Sequence, residues 1–330
     1  MSNLLFSLNI VMPMAILLAI GYLFKQIGFI DDHFVSVGKK LCFYVFLSSS
    51  LFKNLYDSSL DDMPYTFIIF VVCMILAEIF ISRIVAGSVS EKRDQIGVIM
   101  QGSFRSNFAY VGIPLATMFF TDPALIARTS TEISLLSIFV IPLFNISSVL
   151  VLTRYADNED GSELLKRSLM GILKNPCIIS VFCGILVLLF RQAVPASAFF
   201  IRDQLSFLYK GLGYFASMAT PFAFLMVGAS LDLSRSVKDL KQLSAVVLLK
   251  DLFFPCMAIL MAYVLKIADA VEYAILCSVF ASPTAVASAV MASQIGGDED
   301  LANEIVVYTT LFSMISLLII IYVLKTMGCL

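Results

Sequence analysis

Long apolar runs, separated by short polar stretches, account for most of this chain. A helix needs about 20 predominantly apolar residues to cross a bilayer, and the chain contains a series of runs of that length. The second run is the most polar, because Lys39, Lys40 and the serines at 48–50 dilute it. The pattern predicts an all-α polytopic membrane protein with ten spans, at residues 4–24, 34–54, 64–86, 95–119, 128–153, 169–190, 204–230, 243–265, 270–294 and 302–325.

The two halves of the chain share several features in the same order. The matched pairs are Pro13 and Gly21 with Pro176 and Gly184, residues 106–116 with 282–292, and Glu132-Ile133 with Glu304-Ile305. Because each half has an odd number of spans, the second half must enter the membrane from the opposite face. We therefore predict an inverted repeat of residues 1–153 and 168–330, joined by a polar linker at 154–167. In transporters, such repeats place the binding site near the membrane midplane, between broken helices.

Residues 101–119, in span four, combine an apolar composition with features that disfavour an unbroken helix in lipid. Arg105 is a charge at membrane depth, which costs about 2.5–3.5 kcal/mol even on lenient insertion scales. Pro114 removes a backbone donor and clashes with the preceding turn, and Asn107 and Gly112 lie nearby. Irregular backbone at that depth persists only inside protein or along a cavity. We predict that span four breaks near Pro114 and forms half of a transport site.

Span nine is the predicted partner of span four. Pro283 lies between Ser282 and Thr284, in a run of small residues that also contains Ser288. Small residues let helices approach closely, so the two spans are expected to cross near their prolines. The sequence leaves open whether span nine breaks at Pro283 or near Ser288, and ordinary proline kinks in both spans are the alternative.

A crossing of two interrupted helices suits a negatively charged ligand. Each helix N-terminus carries roughly +0.5 of a charge, and Arg105 adds a full charge on a planar fork that matches a carboxylate. Ser49, at comparable depth in span two, is expected to line the opposite wall, with helix packing as its alternative role. The alternative for Arg105 is a salt bridge to an internal acid such as Glu78 or Asp251. For Asn145, we expect an interhelical hydrogen bond.

Glu78 in span three and the adjacent Lys250 and Asp251 in span eight are further charges at membrane depth. An ionisable residue inside a membrane is by default a candidate for ion or proton binding. These three residues are therefore predicted to hold a proton or a coupling cation, with a static ion pair as the alternative.

The composition is that of a membrane protein. Only 14% of the 330 residues are charged and 60% are apolar, with a mean hydropathy of +0.95, whereas soluble domains have about 25% charged residues. Lys and Arg are concentrated in alternate loops, which places both termini on the outer side. The chain has no nucleotide-binding, hydrolase or metal-binding motif and no basic cluster for nucleic acid. We therefore expect no enzyme, cofactor or metal, and a carrier driven by an electrochemical gradient.

The segment RSNFAYVGIP at 105–114 resembles the N-x-x-x-x-G-I-P segment of the auxin efflux carrier family. The opening IVMPMAILLAIGYLFKQIGFI, Asn175-Pro176 and the Ser282-Pro283 region are similar too. By this resemblance, Asn107 and Pro114 match the asparagine and proline of the crossover. Ser288 stands where the plant carriers have a second proline. Arg105 stands where they have an apolar residue, which argues that the substrate is not auxin.

The resemblance implies an architecture and a mechanism. A scaffold of spans one, two, six and seven, often dimeric, would hold a mobile transport domain of spans three to five and eight to ten. Substrate would lie at the crossing of spans four and nine and move by an elevator mechanism. Bacterial members are linked to export or uptake of small carboxylates such as malate or malonate, which implies the bacterial inner membrane.

The favoured hypothesis is a secondary transporter of a small organic anion. Its alternatives are a sodium-coupled carrier of the bile-acid type, which shares the crossed helices, and a receptor that binds a ligand without moving it. The sequence leaves the substrate, the direction of transport, the coupling ion and the oligomeric state open.

Overall fold

A computed structural model describes residues 2–57, 64–156, 170, 174–193, 201–233 and 238–330. The described part is helical throughout, with one isolated backbone bridge and no strand. Most of the predicted linker at 154–167 lies outside the described residues. The prediction of an all-α polytopic membrane protein is confirmed, while the inverted repeat stays a prediction.

The helices follow the apolar runs closely. Those long and apolar enough to cross a membrane number seven among the described residues, and they correspond to spans one, two, three, five, seven, eight and ten. Span six is a somewhat shorter helix, and spans four and nine are each divided into two. The helices are α1 Ser2–Gln26, α2 Asp32–Tyr56, α3 Tyr65–Val89, α4 Arg93–Phe104, α5 Phe108–Gly112 continued by Ile113–Ala116, α6 Pro123–Tyr155, α7 Pro176–Ala193, α8 Ile201–Gln204, α9 Ser206–Gly228, α10 Leu240–Leu265, α11 Ala270–Phe280, α12 Ala287–Ile295 and α13 Glu299–Thr326.

Three helices contain a widened, π-type turn. These turns cover Cys42–Leu47 in α2, Phe108–Gly112 in α5 and Leu249–Phe253 in α10. Pro114 and Pro255 each occupy one of the first two positions of the α-helical segment that follows such a turn. A proline has no N–H and its ring clashes with the carbonyl one turn earlier, so a widened turn allows the helix to continue through it.

The helices pack in two connected groups. One consists of α1, α2, α7 and α9, and the other of α3, α4, α6 and α10–α13. The groups meet where α1 packs against α13 and where α5 packs against α6, α9 and α11. In the first group, α1 and α9 approach at backbone distance. A Cβ atom on Gly21 would lie 2.1 Å from the Leu225 carbonyl oxygen, and one on Gly228 would lie 2.0 Å from that of Leu18. Only glycine allows this contact on both helices.

The two ends of the chain lie at the same face of the helical bundle. The side-chain amide of Asn3, at the start of α1, donates a 3.3 Å hydrogen bond to Thr326 Oγ1, at the end of α13.

Candidate functional site

Both predicted interruptions are present. The α-helical conformation ends at Phe104 and resumes as the widened turn at Phe108. In span nine it ends at Phe280 and resumes at Ala287. The two irregular stretches lie against each other, so the crossing consists of extended backbone rather than of two packed helices.

The backbones of the two interruptions form hydrogen bonds with each other. Ser106 and Thr284 form an antiparallel bridge, both buried. Backbone groups that leave a helix inside a membrane need new partners, and the bridge supplies them across the two spans. Its hydrogen bonds run from the Asn107 N–H to the Pro283 carbonyl, 2.7 Å, and from the Ala285 N–H to the Arg105 carbonyl, 3.1 Å.

Thr284 ties the crossing to two further helices. Its hydroxyl donates to the carbonyl of Gly102, in the last turn of α4, at 2.7 Å. Its N–H donates to the hydroxyl of Thr309, on α13, at 3.1 Å. The fully buried Thr284 therefore satisfies a carbonyl that the end of α4 leaves without a helical partner.

The position of the first break differs from the prediction. The chain leaves the helix at residues 105–107 and not at Pro114, which the widened turn at Phe108–Gly112 accommodates. In span nine, Pro283 lies inside the interruption, whereas Ser288 is already in α12. The question of where span nine breaks is thus resolved in favour of Pro283.

Gly112 is the point of closest approach between α5 and α11. A Cβ atom there would lie 2.5 Å from the carbonyl oxygen of Ser278 and 2.8 Å from the ring of Phe108. Real Cβ atoms do not approach backbone oxygens so closely, so a side chain at this position would push α5 away from α11.

We expect Gly112→Ala to destabilise the protein by about 1–3 kcal/mol, the usual cost of overpacking a tight contact. The measurement is the apparent melting temperature in detergent. Gly87→Ala is the matched control, because a Cβ at Gly87 in α3 would meet nothing within 4 Å. Equal melting temperatures for the two variants would contradict the close contact.

A cavity of about 460 Å³ adjoins the crossing. The first interruption contributes Arg105, Ser106 and Asn107 to its wall, and the second contributes Ala285 and Val286. The remaining wall is largely apolar and comes from α2, α5, α6, α9 and α12. Its other polar members are Lys39, Tyr110, Asn145 and Asn175, the last of which directly precedes α7.

Arg105 is the buried charge of this cavity, with 6% of its surface exposed. Its guanidinium donates a 2.8 Å hydrogen bond to Asn145 Oδ1 and another to the sulfur of Met291. None of the ion pairs among the described residues includes Arg105. The alternative that Arg105 forms a salt bridge with Glu78 or Asp251 is therefore not what the structure contains.

Two buried polar groups on the same wall have no hydrogen-bond partner in the described part of the chain. They are Asn107 Nδ2 and Ser106 Oγ. An amide N–H left unpaired in a buried site costs about 1–3 kcal/mol. Both residues lie on the cavity wall next to Arg105.

Several predicted residues support the crossing instead of lining the cavity. Ser282, in the second interruption, donates to the Ser278 carbonyl of α11 at 2.6 Å, and the Thr284 hydroxyl and N–H form the hydrogen bonds given above. Ser49 is half-buried on α2 and does not line the cavity; α2 contributes Lys39 and Phe43 instead. Gly112, Pro114, Pro283 and Ser288 also lie outside the cavity wall.

Asn145 and Met291 both contact the Arg105 guanidinium, and the sequence did not indicate either residue as its partner. The expected interhelical hydrogen bond of Asn145 exists, but its partner is the Arg105 side chain, so Asn145 holds the guanidinium in place at the cavity. Asn175, also on the wall, caps α7 by accepting from the N–H of Cys177 at 2.9 Å.

Glu78, Lys250 and Asp251 lie apart from this cavity. Glu78 is on α3, and the other two are in the widened turn of α10. All three side chains are buried. The alternative of a static ion pair is not what the structure contains, because no direct salt bridge joins these described residues. Their role as a site for a proton or a coupling cation stays a prediction.

A separate ionic network joins the starts of α6 and α11. Arg128 contacts Glu132, Asp269 and Glu272 at 2.6, 2.5 and 3.2 Å. Burial favours the neutral form of Asp269, but hydrogen bonds from Glu272, Arg128 and the Val271 N–H outweigh it and lower the Asp269 pKa to about 2. The network joins the two helices near their starts, and none of its three acids forms a salt bridge with Arg105.

The sequence is similar to known transport proteins along almost its whole length. A family model described as membrane transport protein matches residues 6–321. An uncharacterized transporter of Methanothermobacter thermautotrophicus is 22% identical over 318 residues, which cover 94% of this chain and 96% of that protein. An uncharacterized transporter of Methanocaldococcus jannaschii is 20% identical over 231 residues, or 68% of this chain and 69% of that protein.

Proposed function

This chain belongs to the membrane transport protein family, which is that of the auxin efflux carriers, and from that premise we propose that it is a secondary transporter of a small organic anion, with a carboxylate group bound at Arg105. The family and the apolar helices establish a membrane transporter. The anion, its site and the mechanism are our proposal.

The observation that carries the proposal is the state of Arg105. It is a buried cation on the wall of a cavity, at a crossing of two broken spans, and its partners are the neutral groups of Asn145 and Met291. A buried charge is costly unless an opposite charge compensates it. A carboxylate in the cavity supplies that charge and matches the two-pronged geometry of the guanidinium.

Neighbouring groups favour the same ligand. The unpaired amide of Asn107 offers a hydrogen bond to a carboxylate oxygen. The start of α12, at Ala287, lies on the cavity wall and presents the positive end of its helix. The apolar remainder of the wall suits the hydrocarbon part of an organic acid.

The packing supports an elevator mechanism. The first helical group, α1, α2, α7 and α9, corresponds to the scaffold spans, and the crossing belongs to the second group. We propose that the second group moves with the anion against the first, and that the scaffold forms a homodimer in the bacterial inner membrane. Both termini lie on the outer side in this proposal, with the cavity nearer the cytoplasm, where α2 and α7 begin.

The test is counterflow in proteoliposomes. Vesicles loaded with unlabelled malate or malonate are expected to take up the radiolabelled acid transiently, and the corresponding uncharged amides are expected neither to enter nor to compete. Empty vesicles measure passive leak. Uptake of the amides at the rate of the acids would contradict anion selectivity, and ligand binding without any counterflow would identify a receptor.

A further inference from the structure

Three ionisable side chains lie at membrane depth without a role in the cavity. Glu78 stands midway along α3, and Lys250 and Asp251 stand in the widened turn of α10. Glu78 and Lys250 are 0% exposed and Asp251 is 2% exposed. We refer to Glu78, Lys250 and Asp251 as the buried triad.

The end groups of the buried triad are unsatisfied. Both carboxylate oxygens of Glu78, both of Asp251 and the Nζ of Lys250 are buried without a hydrogen-bond partner in the described chain. Lys250 is nevertheless close enough to interact electrostatically with both acids. Widened turns are common at functional sites, and this one places a lysine and an aspartate beside a glutamate where no direct bond fixes them.

The charges of the triad and the cavity balance one another. If every group is ionised, the second helical group carries Arg105 and Lys250, which are positive, and Glu78 and Asp251, which are negative, so its sum at membrane depth is zero. Lys39, on the cavity wall, belongs to α2 in the first group and is not part of this sum. A monovalent anion at Arg105 makes the sum negative by one. A net charge in a low-dielectric interior is strongly penalised, and one proton on the triad returns the sum to zero.

Other buried carboxylates do not alter this balance, because they lie near the ends of their helices. Glu132 and Glu272 contact Arg128. Glu304 accepts a hydrogen bond from the backbone of Lys238 at 3.4 Å.

We propose that the buried triad binds one proton and that this proton moves together with the anion, in a proton-coupled symport of one proton per monovalent anion. The inference rests on the proposed function and names its coupling ion. The proton comes from water at one face, forms an O–H bond to a carboxylate oxygen of Glu78 or Asp251, and returns to water at the other face when that bond breaks. No electrons are transferred. The second helical group moves within the membrane either with both ligands bound or with neither bound, because its net charge at membrane depth is zero in both of these states.

A proton fits the buried triad better than a metal cation does. A metal ion needs several oxygen ligands in a compact shell, whereas the described residues contain no group of three acidic, histidine or cysteine side chains arranged to hold one. The ammonium of Lys250 would also repel a metal ion. A proton needs a single carboxylate oxygen.

Among the described residues, no titratable group on the surrounding helices is an electrostatic partner of the buried triad. Helices α4 and α13 pack against the widened turn, and α4 and α6 pack against α3. Among the described residues, the electrostatic partners of the triad are its own members. The charged residues of the surrounding helices lie near the helix ends or at the break: Arg93, Asp94 and Arg105 for α4; Arg128, Glu132 and Arg154 for α6; Glu299, Asp300, Glu304 and Lys325 for α13.

Infrared spectroscopy of the reconstituted protein tests the proton site without any substrate. As the buffer is made acidic, the wild type is expected to gain a carboxylic-acid C=O band that shifts in heavy water and that Glu78→Gln combined with Asp251→Asn lacks. Bands from the other buried acids, Glu132, Glu272 and Glu304, are common to both proteins and cancel in their difference. Glu91→Gln, the same change at an exposed position, is expected to leave the band intact. The absence of such a band in the wild-type protein throughout its stable pH range would overturn the proposal.

Transport tests the coupling. A monovalent acid found to undergo counterflow is offered to vesicles with a tenfold inward proton gradient, which at one proton per anion drives accumulation of up to about tenfold. Malate and malonate are dianions at neutral pH and are not used for this measurement. Glu78→Gln and Asp251→Asn are expected to keep exchange but to lose accumulation, whereas Glu91→Gln keeps both. Accumulation that follows a sodium gradient, or that persists in both triad variants, would overturn the coupling. If no acid is exchanged at all, the proposed function fails, and the infrared band still decides whether the triad holds a proton.

Discussion

Replacing Arg105 with Gln should nearly abolish anion transport. The change removes the buried positive charge of the cavity and preserves a hydrogen-bonding side chain of moderate size. Truncating one partner of a buried, hydrogen-bonded charge pair costs about 2–5 kcal/mol, and each 1.4 kcal/mol is about a factor of ten, so the specificity for the acid should fall by about 30-fold or more. The measurement is the initial rate of acid uptake by proteoliposomes at several concentrations.

Two further variants make the Arg105 prediction specific. Arg105→Lys retains the charge but loses the two-pronged geometry, so an intermediate loss is expected. Arg83→Gln removes a positive charge from an exposed position on α3 and should transport like the wild type. If Arg105→Gln transports at the wild-type rate while folding normally, Arg105 is not part of the anion site.

Thr284→Val should weaken both the fold and the transport. Valine has nearly the shape of threonine but leaves the Gly102 carbonyl without the 2.7 Å hydrogen bond that Thr284 donates. An unsatisfied buried carbonyl costs about 1–3 kcal/mol, and here it also frees the break that positions Arg105. The expected results are a lower apparent melting temperature and a slower uptake of the acid.

Thr310→Val is the matched control for this prediction. Thr310 is equally buried, but its hydroxyl donates to the Val306 carbonyl of its own helix at 2.6 Å. Its loss leaves no end of a broken helix unpaired, so the change should stay within about 0.5 kcal/mol of the wild type. Equal destabilisation by the two substitutions would mean that the Thr284 hydroxyl does not support the crossing.

The membrane helices could be predicted because hydrophobicity alone determines them. Each of the seven long helices coincides with an apolar run, and no packing information is needed to place it. The two interrupted spans could also be predicted from the local sequence, because a charge such as Arg105 and a proline such as Pro283 are poorly compatible with an unbroken helix in lipid.

The exact break in span four could not be predicted, because tertiary structure decides it. Pro114 has the stronger local effect on a helix, but a widened turn absorbs that effect. Residues 105–107 leave the helix because the second interruption offers their backbone new hydrogen bonds. That pairing joins segments far apart in the sequence and has no local signature.

The partners of the Arg105 side chain could not be predicted from the sequence either. Asn145 belongs to α6 and Met291 to α12, and neither carries a motif. Lys39 was visible only as a residue that made span two less apolar, although it lies on the cavity wall. The apolar runs predicted that these residues lie within the membrane. Only the folded structure shows that they line one cavity.

Ligand-dependent stability tests the central claim most directly, because it measures binding without transport. A ligand that binds only the folded protein stabilises it by about 2.7 kcal/mol at a hundred times its dissociation constant. We expect a transported acid such as malate or malonate to raise the apparent melting temperature of the wild-type protein, its uncharged amide to have no effect, and Arg105→Gln to lose the response to the acid. An equal response to acid and amide, or an undiminished response in Arg105→Gln, would contradict an anion site at the crossing of the two broken spans.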